Sequence, residues 1–392
     1  MAKSHISVGI DIGSSFTRIV VVDNSSNKGV LPVVLGAGIV ETRGMRHGYV
    51  VHRNEVTASL KRAIAEAEKE SGQRIRSAAV SLGGIGISCE SALGSAVVSR
   101  ADSVVSKFDI DKAIAEAEEQ IELKNKAVLH AFPSHFKVDG KGFPARPEGM
   151  VGGKIEAKTL FITALEQHLD DLLSAINEAG VKVTSFTATP IAAASLLLTD
   201  LQKNFGCALI DIGAETVSLA VIENNVYSAL HVFGIGSLDI TKDIALGLRI
   251  TPEEAESLKL GVVGFQTVSK KKLDEIIEAR LSEIFEIIDK YLKKIGRSGL
   301  LPAGAIIIGE GSALPLTEQV AKTILKIPVK MGSIDLPGAK GTLKQQTHLI
   351  HAYAVAADIL GHSSQKRTDT HLANEGEGFF GVIKNLIKQL MP

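Results

Sequence analysis

The chain has 392 residues, 45% of them hydrophobic, and a formal net charge of −1, which implies a globular protein of two or more domains. A charge so near zero, with 4% aromatic residues and no Trp, gives no basis for a nucleic-acid-binding surface. No apolar signal segment precedes the first strand, and no run reaches the roughly 20 apolar residues needed to cross a bilayer, so the body is expected in the cytoplasm.

Val8 to Ile12 and Phe16 to Val22 predict two apolar strands joined at Gly13-Ser14-Ser15, and Val30 to Val40 a third that closes a meander. A helix follows with Asn54 as its N-cap and Val56, Leu60, Ala63, Ile64 and Ala67 as its apolar stripe. Ile75 to Leu82 is a strand ending at Gly83-Gly84. The texture then changes. Short strands are expected around Ile85–Glu90 and Ala96–Val98, a helix from Asp109 or Asp111 to about Glu122, strands at Ala127–Phe132 and His135–Val138, and a Gly/Pro-rich loop over 140–153. Residues 84–160 therefore read as an insertion. Phe161 to Gly180 resumes the main body as a helix with Leu165, Leu169, Leu172, Leu173 and Ile176 on one face. The strand Val181 to Ala188 leads to a small-residue helix, Ile191 to Leu198.

The opening pattern then recurs. Ala208 to Ile212, Gly213-Ala214-Glu215 and Thr216 to Ile222 repeat the strand, Asp-Ile-Gly turn and strand seen at the start. Gly234-Ile235-Gly236 precedes a helix from about Leu238 to Leu248, Pro252 opens another to Leu260, and the longest runs from about Lys272 to Ile295. Ala305 to Ile308 is a buried strand before Gly309-Glu310-Gly311-Ser312, and Ile350 to Leu360 is the last helix of the body. Each Asp-Ile-Gly hairpin tip suits a phosphate chain: Gly lets the backbone come close, exposed N–H groups face the anion, and the Asp can orient a metal ion through its waters. One such turn is weak evidence; two, one per half, imply a duplicated domain gripping a nucleotide between its halves.

This order resembles the actin, hexokinase and sugar-kinase superfamily, and within it the FtsA family of bacterial cell-division proteins. The residues that carry the second resemblance are Gly44-Met45 to Gly48 with Ala63 to Glu68, His130-Ala131-Phe132-Pro133 with Pro147 to Gly152, Asp243-Ile244-Ala245 with Glu253 to Lys259, and the amphipathic C-terminus. The resemblance implies an α/β, actin-like (ribonuclease H-like, duplicated) two-lobe ATPase fold. Its parts would be subdomain 1A over 1–83 and 161–190, an inserted strand-helix-strand subdomain 1C over 84–160, 2A over 191–240 and 300–339, and 2B over 241–299. A return helix over 340–361, a linker over 362–378 and an amphipathic helix over 379–392 would follow. It implies ATP with Mg²⁺ as ligand: Asp11, Gly13, Ser14 and Ser15 on the first phosphate loop, Asp211, Gly213, Ala214 and Thr216 on the second, and Gly309, Gly311 and Ser312 at the adenosine turn. Gly234 and Gly236 would line the cleft, Glu256 and Lys259 flank the nucleoside, and Asp11 and Asp211 hold hydrated Mg²⁺.

Four residues at three places depart from that pattern. Phe16 stands where the family has a Lys, so a cation for the phosphates is missing; Ala214 and Glu215 replace two glycines of the second loop; Glu310 replaces a glycine at the adenosine turn. A carboxylate beside a triphosphate is repelled unless it turns away or meets metal. No general base is evident on the helix Pro190 to Leu198, so ATP binding with weak or no hydrolysis is expected.

Residues 362–378 are polar and glycine-bearing, a linker by composition. Beyond them Phe379, Phe380, Ile383, Leu386, Ile387 and Leu390 oppose Lys384 and Lys388 in a segment too short to span a bilayer but suited to the headgroup layer. Each large side chain gains roughly 1.5–3 kcal/mol on burial, each Lys about 1 kcal/mol near anionic lipid, and ordering costs about 1–2 kcal/mol per residue. One copy is marginal, and many copies in a filament gain avidity. The resemblance thus implies self-assembly on anionic membrane lipids at the cytoplasmic face of the division septum, with the acidic C-terminal peptide of FtsZ paired to Arg280 and other divisome proteins as further partners. An actin-like component of type IV pilus assembly, PilM, is the alternative, and it would lack the lipid-binding tail. Cys89 and Cys207, the only cysteines, are expected as buried free thiols. The histidines show no metal-ligand spacing or catalytic pairing.

Overall fold

The structure is a computed structural model that describes residues 5–25, 30–143, 145–262, 269–341 and 347–357. The C-terminal segment expected to meet the membrane lies outside the described residues, as does residues 358–360 of the last helix.

The first half opens with a meander: β1 (Ile6–Ile12), β2 (Phe16–Asp23) and β3 (Val33–Glu41) pair antiparallel in succession. A short hairpin of β4 (Met45–Arg46) and β5 (Tyr49–Val50) leads to α1 (Arg53–Ser71), and β6 (Ser77–Leu82) then pairs parallel to β1. After an insertion come α3 (Glu166–Glu178), β11 (Lys182–Ala188), parallel to β6, and α4 (Thr189–Leu197). The sheet order is β11-β6-β1-β2-β3. Beyond the short α5 (Asp200–Phe205), the second half builds the same sheet: β12 (Cys207–Ile212), β13 (Val217–Glu223) and β14 (Val226–Phe233) form the meander. Helices α6 (Ser237–Leu248), α7 (Pro252–Lys259) and α8 (Lys270–Lys294) follow, then β15 (Ala305–Ile308), α9 (Thr317–Leu325) and β16 (Val329–Met331), giving the order β14-β13-β12-β15-β16. The final described helix, α10 (Ile350–Ala356), returns to the first half and packs on β1 and β2. Gly9 permits this approach, because a Cβ there would lie 1.9 Å from the Ala352 carbonyl oxygen.

The strands β1, β2, β12 and β13 are nearly continuous apolar runs because helices cover both faces. One core joins the halves: Ile10, Leu60 and Val80 from the first share it with Leu209, Ala220 and Leu230 from the second. A second cluster, centred on Phe285, Ile284 and Ile288 of α8, fixes the outer helices of the second half.

The insertion differs from its expectation in detail. The two short strands expected around residues 85–98 are one, β7 (Ser88–Val97), and those at 127–138 are one, β8 (Lys126–Val138), bulged against its neighbour. Pro133 is tolerated because β9 (Lys141–Phe143) pairs β8 only from Phe136 onward, leaving the strand an edge at the proline. Strand β10 (Lys154–Leu165), which the sequence reading lacked, pairs both β7 and β8 and runs on past Leu160. Its first residues alternate Ile155 and Ala157 inward, and its second half is buried on both faces, which mimics the start of a helix. Helix α2 (Lys107–Glu119) starts earlier than expected, at a capping box of Ser106 with Asp109. The N-cap of α1 is His52, with no side-chain cap bond, in place of Asn54. Both cysteines are free thiols, Cys207 buried and Cys89 half-buried. No described helix is long and apolar enough to cross a membrane.

Candidate functional site

The two Asp-Ile-Gly turns have the same geometry. Gly13 N–H donates to the Phe16 carbonyl at 3.0 Å, and Gly213 N–H to the Thr216 carbonyl at 2.9 Å. Both tips point into one cleft, about 690 Å³ with its open mouth, at the carboxyl ends of β1, β6, β12 and β15. Of the residues expected there, Asp11, Gly13, Ser14, Ser15, Asp211, Gly213, Ala214, Thr216 and Gly309 line it. Gly309 has φ of +88°, and a Cβ would meet the Asp211 Oδ1 atom at 2.4 Å, so only glycine fits this turn.

The other expected residues stand outside the lining. Gly236 and the start of α6 support the second tip from behind, with Ser237 and Leu238 N–H donating to the Gly213 and Ala214 carbonyls at 2.8 Å each. Gly234 packs beside Ile85. Lys259 is buried and satisfied, bonding the Ser237 carbonyl, Thr241 Oγ1 and Glu256. Gly311 is buried, and Ser312 Oγ–H donates back to the Gly309 carbonyl at 2.7 Å. Arg280, on α8, is held by Asp243 through two bonds of 2.6 and 2.9 Å and by Glu283 at 2.6 Å.

Two cations in the cleft were not anticipated, and one corrects the expectation that the phosphate site lacks a positive charge. Arg18 lies directly across the β1–β2 ladder from Asp11. Its guanidinium is 3.4 Å from Asp11 and 2.8 Å from Glu310, and is almost wholly buried. The hairpin register carried the signal: a tip that pairs Ile12 with Thr17 puts Arg18 opposite the aspartate, and a buried Arg in an apolar strand needs carboxylates. The second cation is His351 of α10. Its Nε2 is 3.1 Å from Asp211 Oδ2 and its Nδ1 3.8 Å from Asp11 Oδ2, so one ring spans both aspartates. Burial opposes a charge on His351, but Asp211 and Asp11 outweigh it and hold the imidazole protonated, its pKa raised to about 10. Burial likewise pushes Asp11 up, while His351, Arg18 and the Ser81 hydroxyl outweigh it and bring its carboxyl to about 2.

The troublesome carboxylates are accounted for. Glu215 lines the cleft and accepts from the His47 N–H at 2.5 Å, with His47 Nδ1 3.1 Å from its carbonyl. Glu310 meets Arg18. Several buried polar atoms on the walls have no hydrogen-bond partner: Asp211 Oδ1, His351 Nε2, Arg18 Nε and Thr189 Oγ1. Among the described residues no group of three His, Cys, Asp or Glu side chains is arranged to hold a metal ion directly. A metal here would be held through water, with Asp11 and Asp211 as outer acceptors, while the loop amides, Ser14, Ser15 and Arg18 would take phosphate oxygens. Unpartnered buried atoms of both signs fit such a polar ligand.

Two lobes of one topology, an insertion in the first and a shared cleft at the paired turns make this an actin-like fold. Structures of low identity show the same fold. The protein of a PilM–PilN type IV pilus biogenesis complex superimposes with a TM-score of 0.66 at 19% identity, covering 90% of this chain and 97% of that one. MreB5 of Spiroplasma citri bound to AMPPNP gives 0.54 at 10% identity, covering 94% and 99%. The family model for cell division protein FtsA matches residues 208–357, and the model for the SHS2 domain inserted in FtsA matches 86–163. The cell division protein FtsA of Bacillus subtilis is 29% identical over 364 residues, 87% of this chain and 81% of that protein. The chain belongs to the FtsA family of cell division proteins.

Proposed function

We propose that this protein binds ATP with Mg²⁺ between its lobes, assembles into actin-like filaments and anchors FtsZ to the cytoplasmic face of the membrane at the division septum. The observation that carries the nucleotide half is the convergence of both aspartate–glycine tips on one cleft, close enough for His351 to span Asp11 and Asp211. Charge supports a metal companion for the nucleotide. Four lining carboxylates (Asp11, Asp211, Glu215 and Glu310) face Arg18 and the protonated His351, so an unaccompanied triphosphate would enter a net negative cleft. With no general base evident, nucleotide acts as a conformational ligand with slow or no turnover.

The membrane half rests on the sequence of the tail, where an apolar face of Phe379, Ile383, Leu386, Ile387 and Leu390 opposes Lys384 and Lys388. Arg280 is proposed to receive a carboxylate of the FtsZ peptide in exchange for Glu283, the more exposed of its two partners, while keeping Asp243. The test is co-sedimentation with anionic vesicles, with and without MgATP. Removing Phe379 to Pro392 is expected to leave a folded, soluble protein that no longer pellets; unchanged pelleting overturns the tether. FtsZ tail peptide should bind wild type and lose affinity on Arg280→Glu, and binding of a pilus-assembly peptide instead would favour the PilM-like reading.

A further inference from the structure

Among the described residues lining the cleft and the turn beside it, three residue pairs make polar contacts from one lobe to the other. Arg18, on β2 of the first lobe, bonds Glu310, which follows β15 of the second. His351, on the helix that packs against β1 and β2, lies against Asp211 at the end of β12. The turn between β4 and β5 brings the His47 N–H to Glu215 on the second phosphate tip. That turn is well anchored on its own side. His47 sits at φ of +48°, its carbonyl accepts from the Ile85 N–H at 3.2 Å, and the Gly48 N–H donates to Ser14 Oγ at 3.4 Å. The contacts therefore join rigid elements, and the closed geometry is fixed by groups of the protein itself.

We propose that these pairs form a clamp that holds the lobes together without nucleotide, and that an entering nucleotide must take Arg18 from Glu310 and His351 from Asp211. The first half stands on the contacts alone; the second rests on the nucleotide reading above. Among the described residues the cleft's one guanidinium is already engaged by Asp11 and Glu310, so ligand phosphates compete with side chains of the site for the same charge. Binding energy is then diverted into breaking internal pairs, which lowers apparent affinity by the population of the open form. A clamp of separate contacts across one hinge is also cooperative: loosening one raises the opening rate at the others.

Glu310→Gly removes one contact and leaves Glu215 and His47 untouched. Hydrogen exchange on the full-length, nucleotide-free protein in EDTA should show the His47 amide exchanging about tenfold faster in the variant. Exchange unchanged within about twofold overturns the clamp. Glu310→Gln, which keeps the turn residue non-glycine and only removes the charge, should give the same result, and circular dichroism checks that both variants fold. Calorimetry with MgATP should give about tenfold tighter binding for either variant than for wild type; equal or weaker binding overturns the competition. If neither wild type nor variants take up MgATP at millimolar concentration, the nucleotide reading falls, while the exchange result still decides the clamp.

Discussion

Replacing His351 with Leu should be one of the most destabilising single changes in the cleft. The imidazole stands 3.1 Å from Asp211 and 3.8 Å from Asp11. At an effective dielectric of about 20, those distances give gross attractions of about 5 and about 4 kcal/mol. Desolvating the ring offsets several kcal/mol of that, so the pair as a whole is modest. Removing only the cation is another matter, because two buried carboxylates lose the charge they share, with Arg18 beside Asp11 left as the paired cation among the described residues. Breaking a buried pair in this way costs about 3–5 kcal/mol. Denaturant unfolding of the full chain in EDTA, at constant slope, reads that loss directly. Asp211→Asn in the His351→Leu background should restore at least about 1.5 kcal/mol, since it removes the stranded charge. A cost under about 1 kcal/mol, or a double variant no more stable than His351→Leu, would refute the electrostatic account.

Acid should weaken the fold through His130. Burial lowers its pKa from the ordinary 6.5 to about 4, and its Nε2 accepts from the Ala188 N–H at 3.1 Å, so the folded protein needs it neutral. The unfolded chain takes up a proton below 6.5 that the folded protein refuses until about 4. Stability therefore falls as pH drops through that window, by about 3 kcal/mol in all. Denaturation midpoints across pH 7 to 4 should show this fall, and His130→Gln should flatten it. In the insertion, Ser106→Ala removes the cap of α2 and frees buried Asp109 from one of its donors, which should cost about 1–2 kcal/mol. Faster exchange confined to α2 and β7 is the expected readout.

The duplicated hairpins could be read from residue order because their signal is local: an apolar run, an aspartate, a glycine and another apolar run. The same hairpin logic reaches Arg18, since antiparallel pairing across the Gly13 turn sets it opposite Asp11. His351 carried no comparable mark. It sits in a helix of small residues, and its partners come from strands of both lobes, so only the return of α10 to β1 brings them together. Lys259 and Arg280 show the opposite limit. Their charge was legible, but each is satisfied within the second lobe by neighbours whose orientation depends on helix packing. Strand β10 leaves no clear mark in the sequence because residues buried on both faces lose the alternation that distinguishes strand from helix.

The insertion is the part of the fold that ties these local facts to lobe motion. Its strands leave and rejoin the first lobe, yet β7, β8 and β10 all lean on β14, the edge strand of the second. The Leu230 N–H donates to Cys89 Sγ at 3.4 Å, and the Cys89 thiol donates back to the Leu230 carbonyl at 3.1 Å. Phe132 packs on Tyr227 with ring centroids 4.5 Å apart, and the Tyr227 hydroxyl donates to the Ile191 carbonyl at 3.3 Å. Any opening of the cleft must slide β14 against this contact or carry the insertion with it. Phe132→Ala removes the ring that fills the joint; half-buried, it should cost about 1–3 kcal/mol, part of it the aromatic pairing itself. If the insertion braces the lobes, exchange should rise in β14 and also at the His47 amide across the molecule. A rise limited to Phe132's own neighbours would mean that the insertion merely rests against the second lobe, and that closure depends on the cleft alone.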